Sequence, residues 1–292
     1  MKKQLFAHIA LFFANTIYAL NYIFAKDVMP EYISPTAFIL LRVLGASIVF
    51  SLLHFFYIHE RLAKNDVFHI IICALFGVVI NMLCFFKGLS LTTPINASLI
   101  MITTPLIVYI ISCFLTKYEF RYSRFFGVVL GFFGGWVLIT DGQLRFNMNL
   151  TGDILVFINA CSYAFYLILI QSLMSKYHPI TVLKNLFSIG LIVLLPLGWP
   201  DVQQVEFINM PIEIMFKMGF VIIFTTCIAY FLNIYAVSNL KAYTVAFYIY
   251  LQPLLATIFS IMLGKDVLTV IKLISAMLIC CGVYFVLQRS ST

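Results

Sequence analysis

Ten stretches of this chain hold no Asp, Glu, Lys or Arg: 4–25, 43–59, 67–86, 88–116, 125–140, 154–175, 185–200, 218–240, 242–264 and 273–288. A helix that crosses a bilayer needs about 20 mainly apolar residues, with about 17–25 the usual range. The windows 125–140, 185–200 and 273–288 fall just short and draw on flanking residues, where Lys and Arg can snorkel towards headgroups. The count expected is ten spans; nine or eleven fit less well. Composition excludes a water-soluble alternative. Only 10% of the 292 residues are charged and 63% are hydrophobic, against about 25% charged in a soluble domain. So few charges cannot cover an exterior that faces water.

Strands of a membrane barrel alternate apolar and polar residues, and these windows do not. Leu191–Leu195 and Ile168–Ile170 are apolar on every side. In lipid each backbone N–H and C=O needs an internal partner, which a helix supplies locally. The expected class is an all-α integral membrane protein of ten transmembrane helices.

Basic residues set the orientation. With the N-terminus in the cytoplasm, its side holds Lys2, Lys3, Arg61, Lys64, Lys117, Arg121, Arg124, Lys176, Lys184, Lys241 and Arg289, 11 of the 18 Lys and Arg. Lys26, Arg42, Lys87, Arg145, Lys217, Lys265 and Lys272 fall on the other side. The positive-inside rule therefore places both termini in the cytoplasm. Anionic headgroups account for the net charge of +7 without a nucleic acid. The opening MKKQ and its apolar run read as a retained first span, because the run is longer than a secretory h-region. Cys73, Cys84, Cys113, Cys161, Cys227, Cys280 and Cys281 all fall in expected spans without a metal-ligand spacing, and read as free packing thiols.

Sliding the chain by 148 residues sets 88–138 on 236–286 without a gap. Ser90/Ser238, Pro105/Pro253, Lys117/Lys265, Leu130/Leu278 and Gly134/Gly282 are among the identical pairs. A shift of 145 sets Tyr18-Ala19 on Tyr163-Ala164 and Lys26 near Gln171. The chain reads as two halves, 1–143 and 144–292, of five spans each. Because five is odd, the second half enters the membrane from the opposite side. Such inverted repeats are an architecture of alternating-access transporters.

The stretch Gly88-Leu-Ser-Leu-Thr-Thr-Pro-Ile-Asn-Ala-Ser-Leu, Thr104-Pro105-Leu106, Lys117-Tyr-Glu119 and Gly127…Gly131…Gly134 resembles the EamA-type repeat of the drug/metabolite transporter superfamily. The second half is similar through Asn233-Ile-Tyr-Ala236, Gln252-Pro253-Leu254, Gly264-Lys-Asp266 and Gly282, and Arg42 fits the same pattern. Lys87 departs from it, standing where a small residue is usual, and Asp266 lies one position before the acidic site that Glu119 implies. The resemblance covers nearly the whole chain. It implies two inverted five-helix repeats around a central cavity, and export of metabolites or amino acids.

Polar residues far from span ends are costly unless they face a cavity or another helix. Asn15, Tyr18 and Tyr22 share one face of the first span, with Asn21 beside it. Asn159, Tyr163 and Tyr166 share a face of the sixth, and Thr226, Tyr230 and Asn233 one of the eighth. Asn81 and Phe85 lie in the third, and Tyr243, Tyr248, Tyr250 and Gln252 in the ninth. Each alone can be interhelical glue worth about 0.6 kcal/mol or an interfacial aromatic. Together they read as a polar, aromatic-lined cavity for a small amphipathic or zwitterionic solute. The substrate-binding set is Asn15, Tyr18, Asn21, Tyr22, Asn81, Phe85, Tyr163, Tyr166, Tyr230, Asn233, Tyr248 and Gln252. Pro105 and Pro253 each remove a backbone hydrogen bond and kink their helices around that cavity. Arg42 joins them as a structural or gating residue; like Lys87, it either snorkels or attracts an anionic group.

Asp27, Glu119, Asp141, Asp153 and Asp266 all sit near span ends, so no mid-span carboxylate is in place to carry a coupling proton. Asp153 reads as a helix N-terminal charge. His8, His54, His59, His69 and His178 are scattered, with no acid at metal or triad spacing, which argues against a membrane-embedded enzyme. A carrier of sugar phosphates or nucleotide sugars needs several mid-span cations, and only Arg42 and Lys217 come near. The expectation is a secondary transporter that exports a small neutral or zwitterionic, amino-acid-like metabolite across the inner membrane by alternating access. It takes no cofactor, metal or nucleic acid and works as a monomer or homodimer.

Overall fold

The computed structural model describes residues 2–115, 120–140, 150–262 and 269–287, with the side chains of Ser260 and Leu287 left out. Lys117, Glu119, Asp141, Arg145, Gly264, Lys265, Asp266, Arg289 and the 143/144 boundary lie outside them. Ten apolar helices run through the described residues: α1 Lys2–Val28, α2 Pro35–Ile58, α3 Lys64–Leu91, α4 Pro94–Leu115, α5 Tyr122–Thr140, α6 Leu150–Met174, α7 Pro179–Val202, α8 Ile212–Val237, α9 Ala242–Phe259 and α10 Val270–Leu287. The first nine are long and apolar enough to cross a membrane, and α10 is a shorter apolar helix. Among the described residues there is no strand. The outer surface is apolar: Phe114 is 83% exposed and Ile192 73%, which suits lipid rather than water.

Caps fix the helix ends. Ser34 Oγ accepts from the Ala37 N–H, with Pro35 in the first turn of α2. Thr93 does the same for α4, accepting from Asn96 N ahead of Pro94. This moves one expected boundary. The third span does not stop at Lys87 but runs on to Leu91, because the chain breaks where Thr93-Pro94 starts a new helix. Lys87 is thus an exposed helical residue. Lys26 Nζ on α1 closes the end of α3, donating to the carbonyls of Leu89, Ser90 and Thr92 at 2.9, 3.0 and 2.9 Å. A cation there meets the negative end of the helix dipole. Beyond the spans, Lys176 Nζ donates to Asp66 Oδ1 at 2.9 Å, a bond that holds the Lys176 ammonium pKa above its ordinary value.

The main helix contacts map onto themselves when the first five helices are exchanged for the last five. Helix α3 packs on α6 as α8 packs on α1, and α4 on α6 as α9 on α1. The pairs α2–α7, α4–α9 and α5–α10 each map onto themselves. Single residues follow. Thr92 and Leu240 are a repeat pair; Lys26 donates to Thr92 O, and its counterpart Gln171 donates to Leu240 O at 3.0 Å. Both α3 and α8 carry a π-helical stretch, Leu75–Val79 and Val221–Ile228, at equivalent positions.

Pro105 and Pro253 do more than kink continuous helices. A turn at Ile102–Thr103 interrupts α4 just before Pro105, and a 3-10 turn, Tyr248–Tyr250, interrupts α9 just before Pro253. With no N–H, Pro105 cannot donate to the Met101 carbonyl, nor Pro253 to that of Ile249.

Candidate functional site

A cavity of about 90 Å³ lies between the two halves. The polar faces expected from the sequence converge on it. Asn15, Tyr18, Asn21 and Tyr22 come from α1, Asn81 and Phe85 from α3, Tyr163 from α6, Tyr230 and Asn233 from α8, and Gln252 from α9. Met101 and Ile249, the residues whose helical hydrogen bonds the two prolines remove, also line it. Pro105 and Pro253 are themselves buried and do not touch the cavity.

Two expected residues do not reach the lining. Tyr166 is buried against Gly77, where a Cβ would sit 2.3 Å from its ring; the ring fills the space that glycine leaves in the π-helical turn of α3. Tyr248 turns towards α1, where its hydroxyl hydrogen-bonds His8 Nδ1 at 2.8 Å. His8 lines a separate opening of about 510 Å³ with Arg124 and Lys241.

Of the two roles expected for Arg42, snorkelling and attraction of an anionic group, the structure does not bear out the first. Instead Arg42 is 2% exposed and lines the cavity. Its Nε donates to Thr226 Oγ1 at 2.8 Å, and the Thr226 hydroxyl in turn donates to the Val221 carbonyl at 2.9 Å. The guanidinium lies over the Phe86 ring, 4.1 Å from the centroid. No carboxylate lines the cavity, and Arg42 Nη1 is buried with no partner among the described residues. Desolvating an ion costs several kcal/mol, whereas a desolvated cation–π contact returns about 2 kcal/mol. The ring alone does not compensate the charge. Lys217, the other near-mid-span cation, is no part of the cavity; it pairs with Asp27 at 2.6 Å and Glu213 at 2.7 Å.

Other lining groups are partly tied. Gln252 Nε2 donates to Asn15 Oδ1 at 2.8 Å. Asn233 Nδ2 donates to the Tyr163 hydroxyl at 2.7 Å, and Asn159 Nδ2 to the Asn81 carbonyl at 2.8 Å. The amide oxygens of Asn21, Asn159 and Asn233 are buried without a partner among the described residues.

The sequence reading missed Thr225, Met82, Phe86, Met101, Val245 and Ile249 in the lining. Stepping back from Tyr230 and Asn233 at α-helical spacing selects Thr226. The π-helical stretch shifts the phase by one residue, so Thr225 lines the cavity and Thr226 meets Arg42. The apolar members carry no signal that separates them from core. Among the described residues no three His, Cys, Asp or Glu side chains gather as a metal site.

The sequence profile of the EamA-like transporter family matches residues 5–140 and again 150–288. An uncharacterized transporter of Archaeoglobus fulgidus is 29% identical, over 87% of this chain and 87% of its own length. The uncharacterized transporter YyaM of Bacillus subtilis is 25% identical, over 77% of this chain and 74% of its length. One crystal structure superposes with a TM-score of 0.75 over 98% of this chain and 97% of that one; at 17% identity it speaks for the fold alone.

Proposed function

The chain belongs to the EamA-like transporter family, and from that premise we propose that it is a secondary transporter exporting a small neutral or zwitterionic, amino-acid-like metabolite by alternating access. It sits in the inner membrane with both termini cytoplasmic, as a monomer or homodimer, and its repeats, 1–143 and 144–292, are inverted. The observation that carries this reading is the cavity: one space lined by polar and aromatic side chains from both halves, with Arg42 the one charged member among the described residues. Neutral donors and acceptors with aromatic walls suit a small amphipathic solute. The exchange symmetry of the helix contacts supports two repeats that rock about a shared site. Interrupted helices beside the cavity are a recurrent feature of such sites.

A carrier of sugar phosphates or nucleotide sugars is the second reading, favoured by Arg42 in the lining. A phosphate of nearly two negative charges calls for more than one cation, and Lys217 is already paired. The test is uptake and counterflow by purified protein in liposomes against labelled amino acids, nucleosides, sugars and sugar phosphates. Saturable flux of an amino-acid-like solute is the expected result. Flux of sugar phosphates alone would establish the second reading, and no flux from folded, inserted protein would remove both.

A further inference from the structure

Among the described residues, Arg42 is the single charged side chain in the cavity lining. It lies in the middle of a helix bundle where no carboxylate among the described residues answers it, and its Nε donates to a neutral hydroxyl that is itself a donor elsewhere. Opposite in character are three lone acceptors: the amide oxygens of Asn21, Asn159 and Asn233, buried and unpartnered among the described residues. At Asn159 the assignment of nitrogen and oxygen is fixed by chemistry, because Nδ2 faces the Asn81 carbonyl, which can only accept. Buried polar groups find partners, and these four groups share one cavity. A molecule that brings an anionic acceptor for the guanidinium and N–H donors for the amide oxygens would satisfy all four.

We propose that Arg42 anchors the carboxylate of a zwitterionic α-amino acid, whose ammonium faces the amide oxygens of Asn21, Asn159 and Asn233. This rests on the reading of the cavity as the substrate site and assigns the two charges of the substrate to named groups. Thr226 positions the guanidinium by holding Nε, which leaves the unpartnered Nη1 for the carboxylate. Planar fork geometry makes Arg suited to this role and Lys a poor replacement.

The test is ligand-induced thermal stabilisation of the purified full chain in detergent. Each of a panel of L-amino acids is compared with its decarboxylated amine and its deaminated acid. The expected result is stabilisation by at least one amino acid. Removing either charge should weaken binding roughly 10- to 100-fold, the range of a charge-assisted hydrogen bond. Arg42→Gln should lose the discrimination between the amino acid and its amine, and Arg42→Lys should bind weakly but keep it. Equal binding of the amine, wild-type affinity in Arg42→Gln, or no amino acid bound at all would each overturn the proposal. The analogue comparison uses wild-type protein, so it stands even where a variant fails to fold. Proteoliposome flux separates the two readings. Arg42-dependent binding without flux would leave this assignment standing and remove the carrier. Saturable flux of solutes that lack a carboxylate, with no amino acid among them, would keep the carrier and remove this assignment.

Discussion

Gln252 on α9 donates its side-chain Nε2 to Asn15 Oδ1 on α1 across 2.8 Å, and Asn15 Nδ2 turns back to the Leu11 carbonyl of its own helix at 2.8 Å. The pair joins the two halves beside the cavity, so one contact serves both as glue and as lining. This answers an alternative that residue type alone leaves open.

A double-mutant cycle measures the glue. Asn15→Leu and Gln252→Leu should each lower the thermal midpoint in detergent, and the double variant should lose less than the sum. The expected coupling is about 0.6 kcal/mol, with about 1.7 kcal/mol the ceiling for such bonds in membrane proteins. Strict additivity would show that the bond contributes nothing.

Tyr163 accepts from Asn233 at 2.7 Å and lines the cavity. Tyr163→Ala should reduce flux on the order of tenfold with expression and insertion intact, while Tyr163→Phe keeps the ring and falls less, by roughly the worth of one hydrogen bond. Wild-type flux from a folded Tyr163→Ala protein would take the residue out of the site.

Helices α5 and α10 touch backbone to backbone. A Cβ on Gly282 would lie 2.6 Å from the Gly127 carbonyl oxygen, and one on Gly127 would lie 2.8 Å from that of Gly282. Because the obstacle is main chain, either Gly→Ala change should force the helices apart and cost about 1–3 kcal/mol. Gly219 is the control: nothing lies within 4 Å of its added Cβ, and Gly219→Ala should be neutral or stabilising by up to about 1 kcal/mol. Denaturation midpoints of the three variants check the contrast.

Lys26 and Gln171 occupy equivalent places with unequal chemistry. Lys26→Met removes three charge-assisted bonds from the end of α3 and should destabilise by about 1.5–3 kcal/mol. Gln171→Leu removes one neutral bond to the Leu240 carbonyl and should cost about 1 kcal/mol. Equal losses would mean that the charge on Lys26 adds nothing.

Much of the architecture was legible because lipid leaves few choices. An uncharged window of about 20 residues must be a helix there, so the ten spans follow from where the charges are absent. The polar faces of α1, α6 and α8 were legible for a related reason: Asn and Tyr are expensive against acyl chains, and helical spacing sums them onto one side. Pairing Pro105 with Pro253 located two interruptions, although their form, a turn and a 3-10 segment ahead of each proline, came from the fold.

What the sequence determined by itself was the solvent, the secondary structure and the faces that turn away from lipid, since each depends on the local run of residues. The tertiary structure decided which neighbour each face meets. Helical periodicity gave no warning that a π-helical stretch hands the lining to Thr225 and sends Thr226 to Arg42. It set Tyr166 and Tyr248 on polar faces whose partners, Gly77 and His8, lie on other helices. Arg42 shows the limit most plainly. A cation 8 residues into a span, counting from Pro35 at the start of α2, can reach headgroups or be enclosed. The packing of α2 against α3 and α8 encloses it, because burial depends on distant segments that the local sequence does not specify.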